Sequence, residues 1–303
     1  MYKRRRYICA CVLLVLIISL IGGLGGFGTT KDTQGKTDED IEIIIPSELV
    51  VDEEPATDNP NQTVTFTDGY QAINYGLDIL ENGKGFSSYF SQVLSSLGCS
   101  QKVITKKYRS GNQNLLEEWY KSDIAFGQNA YKCFYSDQTD MKIKTISNKS
   151  NYNFDKLTTN KCEPDKLESF PYTDWTQNRK RKPLNNFYIE VNSKTCRVLY
   201  FDKSDKTNFI VKISAYPDKM DETYFSTFKE NGATNVKLKS LTFCFYISKS
   251  TGHISKITKE ECVNTTFANF ANVECNIKST EIFLSVDANV SSLLEERYQH
   301  NFA

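Results

Sequence analysis

Apolar and polar positions are distributed unevenly along the chain, and the first feature is a run without alternation. Tyr7 to Ile21 (YICACVLLVLIISLI) is uncharged and apolar, and the glycine-rich GGLGGFG extends it to Gly28. A helix over residues 7–28 is long enough to cross a bilayer core of about 30 Å. Residues 29–66 lose this character and read as a tether. Beyond them, Tyr70, Ile73, Leu77 and Leu80 recur at helical spacing and predict a helix over 68–81, opened by Asp68 with Gln71 and closed by Asn82-Gly83. Met220, Tyr224 and Phe228 predict a second helix over about 219–230, capped by Asp218.

Most of the remainder alternates with period two. Strands are predicted at 86–96, 101–109, 114–121, 131–136 and 141–146. Others are predicted over Phe187–Val191 and Phe209–Tyr216. Leu241–Ile247 turns at Ser250-Thr251-Gly252 into a return strand over Ile254–Val263, and Ile277–Val286 closes the set. Residues 147–183 are polar and broken. They form an insertion or a hinge, so the extracytoplasmic region 67–290 is either one sheet or two lobes, 67–146 and 184–290. Residues 291–303 read as a C-terminal tail. The fold class is α+β: a large curved antiparallel sheet, half-barrel-like, with a few helices on one face and a transmembrane helix in front.

Charge gives the chain a direction. Lys3, Arg4, Arg5 and Arg6 precede the apolar run, so residues 1–6 are expected in the cytoplasm and the C-terminal domain outside the cell membrane. No small-residue cleavage motif follows, so a retained single-pass signal-anchor is favoured over a cleaved signal peptide. Residues 31–60 carry ten acids against Lys31 and Lys36, which suits an extended tether. The remainder is only mildly basic, too mild to imply a nucleic-acid partner, and none is expected. Aromatic residues make up 13% of the chain, as in β-rich proteins.

The hairpin Tyr246-Ile-Ser-Lys-Ser-Thr-Gly-His-Ile-Ser-Lys-Ile257 resembles the recurring I-x-K-x-T-G-x-x-x-K-I turn of the LolA-like class of bacterial cell-envelope proteins. The block Gly69-Tyr-Gln-Ala-Ile-Asn-Tyr-Gly-Leu-Asp-Ile-Leu-Glu-Asn-Gly-Lys-Gly-Phe86 is similar to the opening helix and strand of membrane-anchored members of Firmicutes type. The resemblance covers residues 68–287. It implies a half-barrel whose concave face takes a lipid or acyl chain, and it carries over no ligand-contacting residue.

Catalytic chemistry is sparse. The two histidines, His253 and His300, stand in no motif, and no metal, cofactor-binding or catalytic residue is assigned; the chain is not expected to be an enzyme. Glu117 and Glu118 point to opposite faces of a strand and cannot act as a carboxylate pair with each other. Glu118 is a candidate half-buried carboxylate, although a solvated strand residue is the commoner case. Trp119 is read as core. Seven cysteines lie beyond the apolar run, at irregular spacing. They are read as free thiols, with one or two disulfides left open. Arg179, Lys180, Arg181 and Lys182 form a basic cluster that could contact an anionic polymer, anionic lipid or envelope protein. The expected function is a membrane-anchored binding module for a lipid or other apolar ligand, the alternative being a non-enzymatic envelope interaction protein.

Overall fold

The structure is a computed structural model that describes residues 64–96, 99–122, 130–147, 152–159, 166–171, 190–220, 224–225, 233–267 and 270–303. The expected membrane helix 7–28, nearly all of the tether and the Arg179–Lys182 cluster lie outside these residues. Among the described residues no helix is long and apolar enough to cross a membrane.

Helix α1 runs Gly69–Asn82, with Asp68 Oδ1 accepting from the Gln71 N–H at 2.9 Å and Gln71 Oε1 accepting from the Thr67 N–H at 2.8 Å. The expected cap pair is present, displaced by one residue on the glutamine side. At the other end Gly83 is extended (φ −70°, ψ 173°), not left-handed as Asn-Gly suggests. Glycine is required there because a Cβ would stand 2.5 Å from the Ile79 carbonyl oxygen. The chain is packed before this helix: the Val64 N–H donates to the Lys249 carbonyl at 2.9 Å and Phe66 is buried, so the folded part begins ahead of residue 67.

Thirteen strands follow among the described residues: β1 Gly85–Ser96, β2 Cys99–Ser110, β3 Gln113–Ser122, β4 Ala130–Ser136, β5 Asp140–Ser147, β6 Tyr152–Asn153, β7 Thr158–Thr159, β8 Lys166–Pro171, β9 Cys196–Asp202, β10 Asn208–Ala215, β11 Ala233–Ser248, β12 Ile254–Phe267 and β13 Phe270–Val286. Helix α2, Ser291–Phe302, ends the chain. Eleven strands form one open, curved antiparallel sheet in the order β8-β5-β4-β3-β2-β1-β13-β12-β11-β10-β9, and β6 and β7 pair separately. The half-barrel-like sheet is therefore a single unit. Its first and second strand runs join where β1 pairs with β13.

Four expectations are corrected. Residues 291–303 are not a tail, because their aromatic and aliphatic side chains have a surface to bury: Leu294 is buried, and the Tyr298 ring lies 4.5 Å from that of Tyr135. The polar insertion contains β8, an edge strand that ends at Pro171, where the missing N–H costs no ladder bond. Glu190 and Val191 are in no strand; Val191 is buried where its carbonyl accepts from Asn74 Nδ2 at 2.9 Å. The helix expected from 219 does not begin there. Pro217–Lys219 make a 3-10 turn, Met220 is extended, and only Tyr224–Phe225 are described as helical beyond it.

The helices also do not share a face. Directly opposed residues of an antiparallel ladder point to the same side, and an unbroken row runs Val211, Phe245, Ile257, Glu281, Phe90, Thr105, Glu118, Lys132, Thr145 across nine strands. Helix α1 packs on the Val211 side, through Ala72 and Ile73 onto Ile213, Phe243 and Ile254. Helix α2 packs on the opposite side, over Tyr108, Leu115, Tyr131 and Tyr135. Each half of the sheet thus has its own apolar cluster on its own face. On β10 burial alternates, as one wetted face demands, whereas β1 and β4 are buried on both faces.

Candidate functional site

On the α1 side the row changes character where it leaves the helix. Over β10 to β12 it is aliphatic and aromatic. Over β13 and β1 to β4 it carries charge. Glu281 meets Lys107 Nζ at 2.9 Å, and the side chains keep only 9% and 4% of their surface. The Ser88 hydroxyl donates to the same carboxylate at 2.7 Å, and the Lys107 ammonium stands 4.8 Å over the Phe90 ring. One strand further, Glu118 accepts from the Tyr120 hydroxyl and faces Lys132 across the β3–β4 ladder. Lys132 is buried. Val103, Leu116 and Phe134 surround these charges on the same face. Nearer α1, Glu261 accepts from Tyr224 at 2.5 Å and from Lys259 at 2.8 Å.

Burial pushes the Glu118 carboxyl up, against the Tyr120 hydrogen bond and the Lys132 and Lys107 charges that pull it down. Paired acids for glycoside cleavage stand about 5 to 9.5 Å apart. Glu118 and Glu281 share a row but are three strand spacings apart, about 14 Å. Glu281 is moreover held by Lys107 and Ser88, so the two do not form a hydrolytic pair.

The opposite face holds a second charged cluster. Glu117 is wholly buried and receives Arg297 of α2 through two hydrogen bonds, Nε at 3.0 Å and Nη2 at 2.6 Å. The Tyr131 hydroxyl donates to it at 2.9 Å and Asn301 Nδ2 at 3.2 Å. Burial alone raises the Glu117 carboxyl, but the Arg297 charge and its hydrogen bonds, Lys106 and Tyr131 outweigh it and hold the group below its ordinary value. The Tyr131 hydroxyl also lies 2.7 Å from Asn301 Oδ1, and Asn301 Nδ2 also donates to the Arg297 carbonyl at 2.9 Å, so the cluster fastens the last helix to the sheet.

Glu117 and Glu118 do lie on opposite faces, and Glu118 is half-buried; the wholly buried member is Glu117. Trp119 is core, its ring 5.1 Å from that of Tyr131. His253 follows the β11–β12 turn, and His300 lies on α2, where burial and the Arg297 charge hold its imidazole low. Cys133, Cys196, Cys244, Cys262 and Cys275 are free thiols, while Cys162 lies outside the described residues. Among the described residues no group of His, Cys, Asp or Glu could hold a metal ion. Glu281 and Lys107 were not singled out by sequence, yet a signal for Glu281 exists: it falls in phase with Val273, Cys275 and Ile277, the buried side of β13.

No protein-family model matches the chain, and no curated protein matches it. Among solved structures it is similar to the lipoprotein LppX of Mycobacterium tuberculosis, at 10% identity over 70% of this chain and 92% of that one, with a TM-score of 0.32. It is also similar to a β-barrel-like protein of a domain of unknown function from Brucella abortus, at 10% identity over 66% of this chain and 98% of that one, with a TM-score of 0.22. Likeness at this level carries no argument about family or function.

Proposed function

We propose that the chain is a membrane-anchored, extracytoplasmic binding module that seats a lipid or other amphiphile on the α1 side of its sheet, over β13 and β1 to β4. One observation carries this reading: a buried sheet face on the α1 side on which Glu281, Lys107, Glu118 and Lys132 stand among Phe90, Val103, Leu116 and Phe134. Beside α1 the same row is apolar at Val211, Phe245 and Ile257, and replacing buried ion pairs by apolar residues is commonly neutral or stabilising, so packing alone does not call for the charges on β13 and β1 to β4. Apolar rows suit hydrocarbon, and Glu118 with Lys132 suits a polar head group. This favours an amphiphile over a wholly apolar ligand. The anchor rests on Tyr7–Ile21 and the basic residues Lys3–Arg6, which favour a cytoplasmic N-terminus.

The test is native mass spectrometry of the full chain taken from its host membrane in mild detergent. A discrete added mass, released by organic solvent and identified as lipid, is the expected result. The bare chain mass, repeated across preparations, would overturn the reading.

A further inference from the structure

The outer edge of β9 has unusual side chains for an unpaired strand. Among the described residues no strand pairs with it on that side, and Leu199 and Tyr200 keep 42% and 46% of their surface. Exposed edges are normally blunted with lysine, proline, a bulge or a covering element, because their open N–H and C=O groups recruit further strands. Of these devices β9 has the bulge, and two large apolar side chains, Leu199 and Tyr200, stay exposed on it. Lys212 pairs with Tyr200 and Ile213 with Val198, leaving Leu199 without a partner on β10.

The bulge has a consequence for charge. Arg197 and Asp202 are five residues apart and would point to opposite faces of a regular strand. The extra residue brings them to one face, Arg197 opposite Ser214 and Asp202 opposite Ile210, both away from α1. Arg197 is exposed and enters no ion pair among the described residues.

We propose that β9 pairs antiparallel with β9 of a second copy of this chain, about a two-fold axis between Leu199 and Tyr200. In that register each Arg197 stands opposite the other copy's Asp202 on the same face. Val198 meets Phe201 on the α1 side, and the exposed Leu199 and Tyr200 cover one another. Such an interface is isologous, with each residue used twice, and the charge pairs form only in this register, which is why the occupant is a second copy. The edge is seven residues long, so the contact belongs to the small, weak class of interfaces.

The test uses the full chain in mild detergent, at concentrations rising towards the millimolar range, with Leu199 replaced by a benzophenone amino acid. Irradiation is expected to yield a species of twice the 34.6 kDa chain mass, with the cross-link mapped to β9 of the second copy. Arg197→Asp is expected to lower the yield about tenfold by opposing like charges. The double variant Arg197→Asp with Asp202→Arg is expected to restore it. Because Asp202 also accepts from Ser204, Leu199→Lys without the photoprobe is a second disruptor, read by sedimentation. A monomer at every concentration, cross-links elsewhere on the chain, or a dimer indifferent to Arg197→Asp would each overturn the proposal.

Discussion

Arg297, in the last helix, forks onto Glu117 of β3, 180 residues earlier in the chain. The carboxylate keeps none of its surface and the guanidinium about a quarter. The pair decides where the C-terminal helix sits, because no other acidic group on that side of β3 offers Arg297 two oxygens together with hydroxyl and amide donors from Tyr131 and Asn301.

Removing one partner leaves the other charge buried and alone, at a cost of about 3–5 kcal/mol. Glu117→Gln and Arg297→Ala are each expected to destabilise the chain by that order, and the double variant by less than the sum. Denaturant titration of the four proteins checks the coupling. The pH dependence has a definite sign. The folded carboxyl lies below its ordinary value of 4.5, so the stabilisation is complete above about pH 4.5 and fades as pH falls through the lower folded value. Glu117→Gln should lose its deficit on that same acid limb.

Glu118 is expected to behave in the opposite way. Burial raises its carboxyl, so folding favours the protonated form, and the group opposes folding above its folded value but not below 4.5. Glu118→Gln, which still accepts from Tyr120, is expected to raise the denaturation midpoint at pH 7 and leave it nearly unchanged at pH 4. A lower midpoint at pH 7 would mean that the Lys132 and Lys107 contacts dominate.

This contrast between neighbours marks how far the sequence could be read. Period-two alternation placed β1 to β5 and β10 within a residue or two, because a side chain on a sheet has only two directions. It also put Glu117 and Glu118 on opposite faces. Which of them is buried deeper depends on Arg297, whose segment, SSLLEERYQHNF, has no side-chain N-cap and no clean apolar stripe. Strand β9 was missed beyond Cys196-Arg197, whose alternation is strand-like, for a different reason: the bulge at Leu199 breaks the alternation that reveals strands. The ion pair of Lys107 and Glu281 joins strands remote in sequence, and no local pattern announces it.

Close approach of α1 to the sheet gives a third prediction. A Cβ on Gly76 would stand 2.5 Å from Ile254 Cγ1 and 3.3 Å from the Gly252 carbonyl, so one side is branched side chain and the other backbone. Gly76→Ala gains helix propensity but must lift α1 from β12. The net expectation is a loss of about 1–3 kcal/mol, as for other overpacked cores. Thermal unfolding checks it, and an unchanged midpoint would mean that α1 slides freely.

The last prediction separates stability from binding at the charged row. Lys107→Met alone strands the Glu281 carboxylate in a buried site with only the Ser88 hydroxyl left among the donors described above, and is expected to cost about 3–5 kcal/mol. Lys107→Met with Glu281→Leu removes both charges at similar volume, and such exchanges are neutral or stabilising by about 1–4 kcal/mol. If the row exists only to hold the sheet together, the double variant loses nothing. If it recognises the polar end of an amphiphile, the same protein, at least as stable as the parent, should carry less co-purifying lipid or a lipid of different head group. Unfolding and native mass spectrometry on one preparation measure the two quantities side by side, so a loss of ligand cannot be ascribed to a loss of fold.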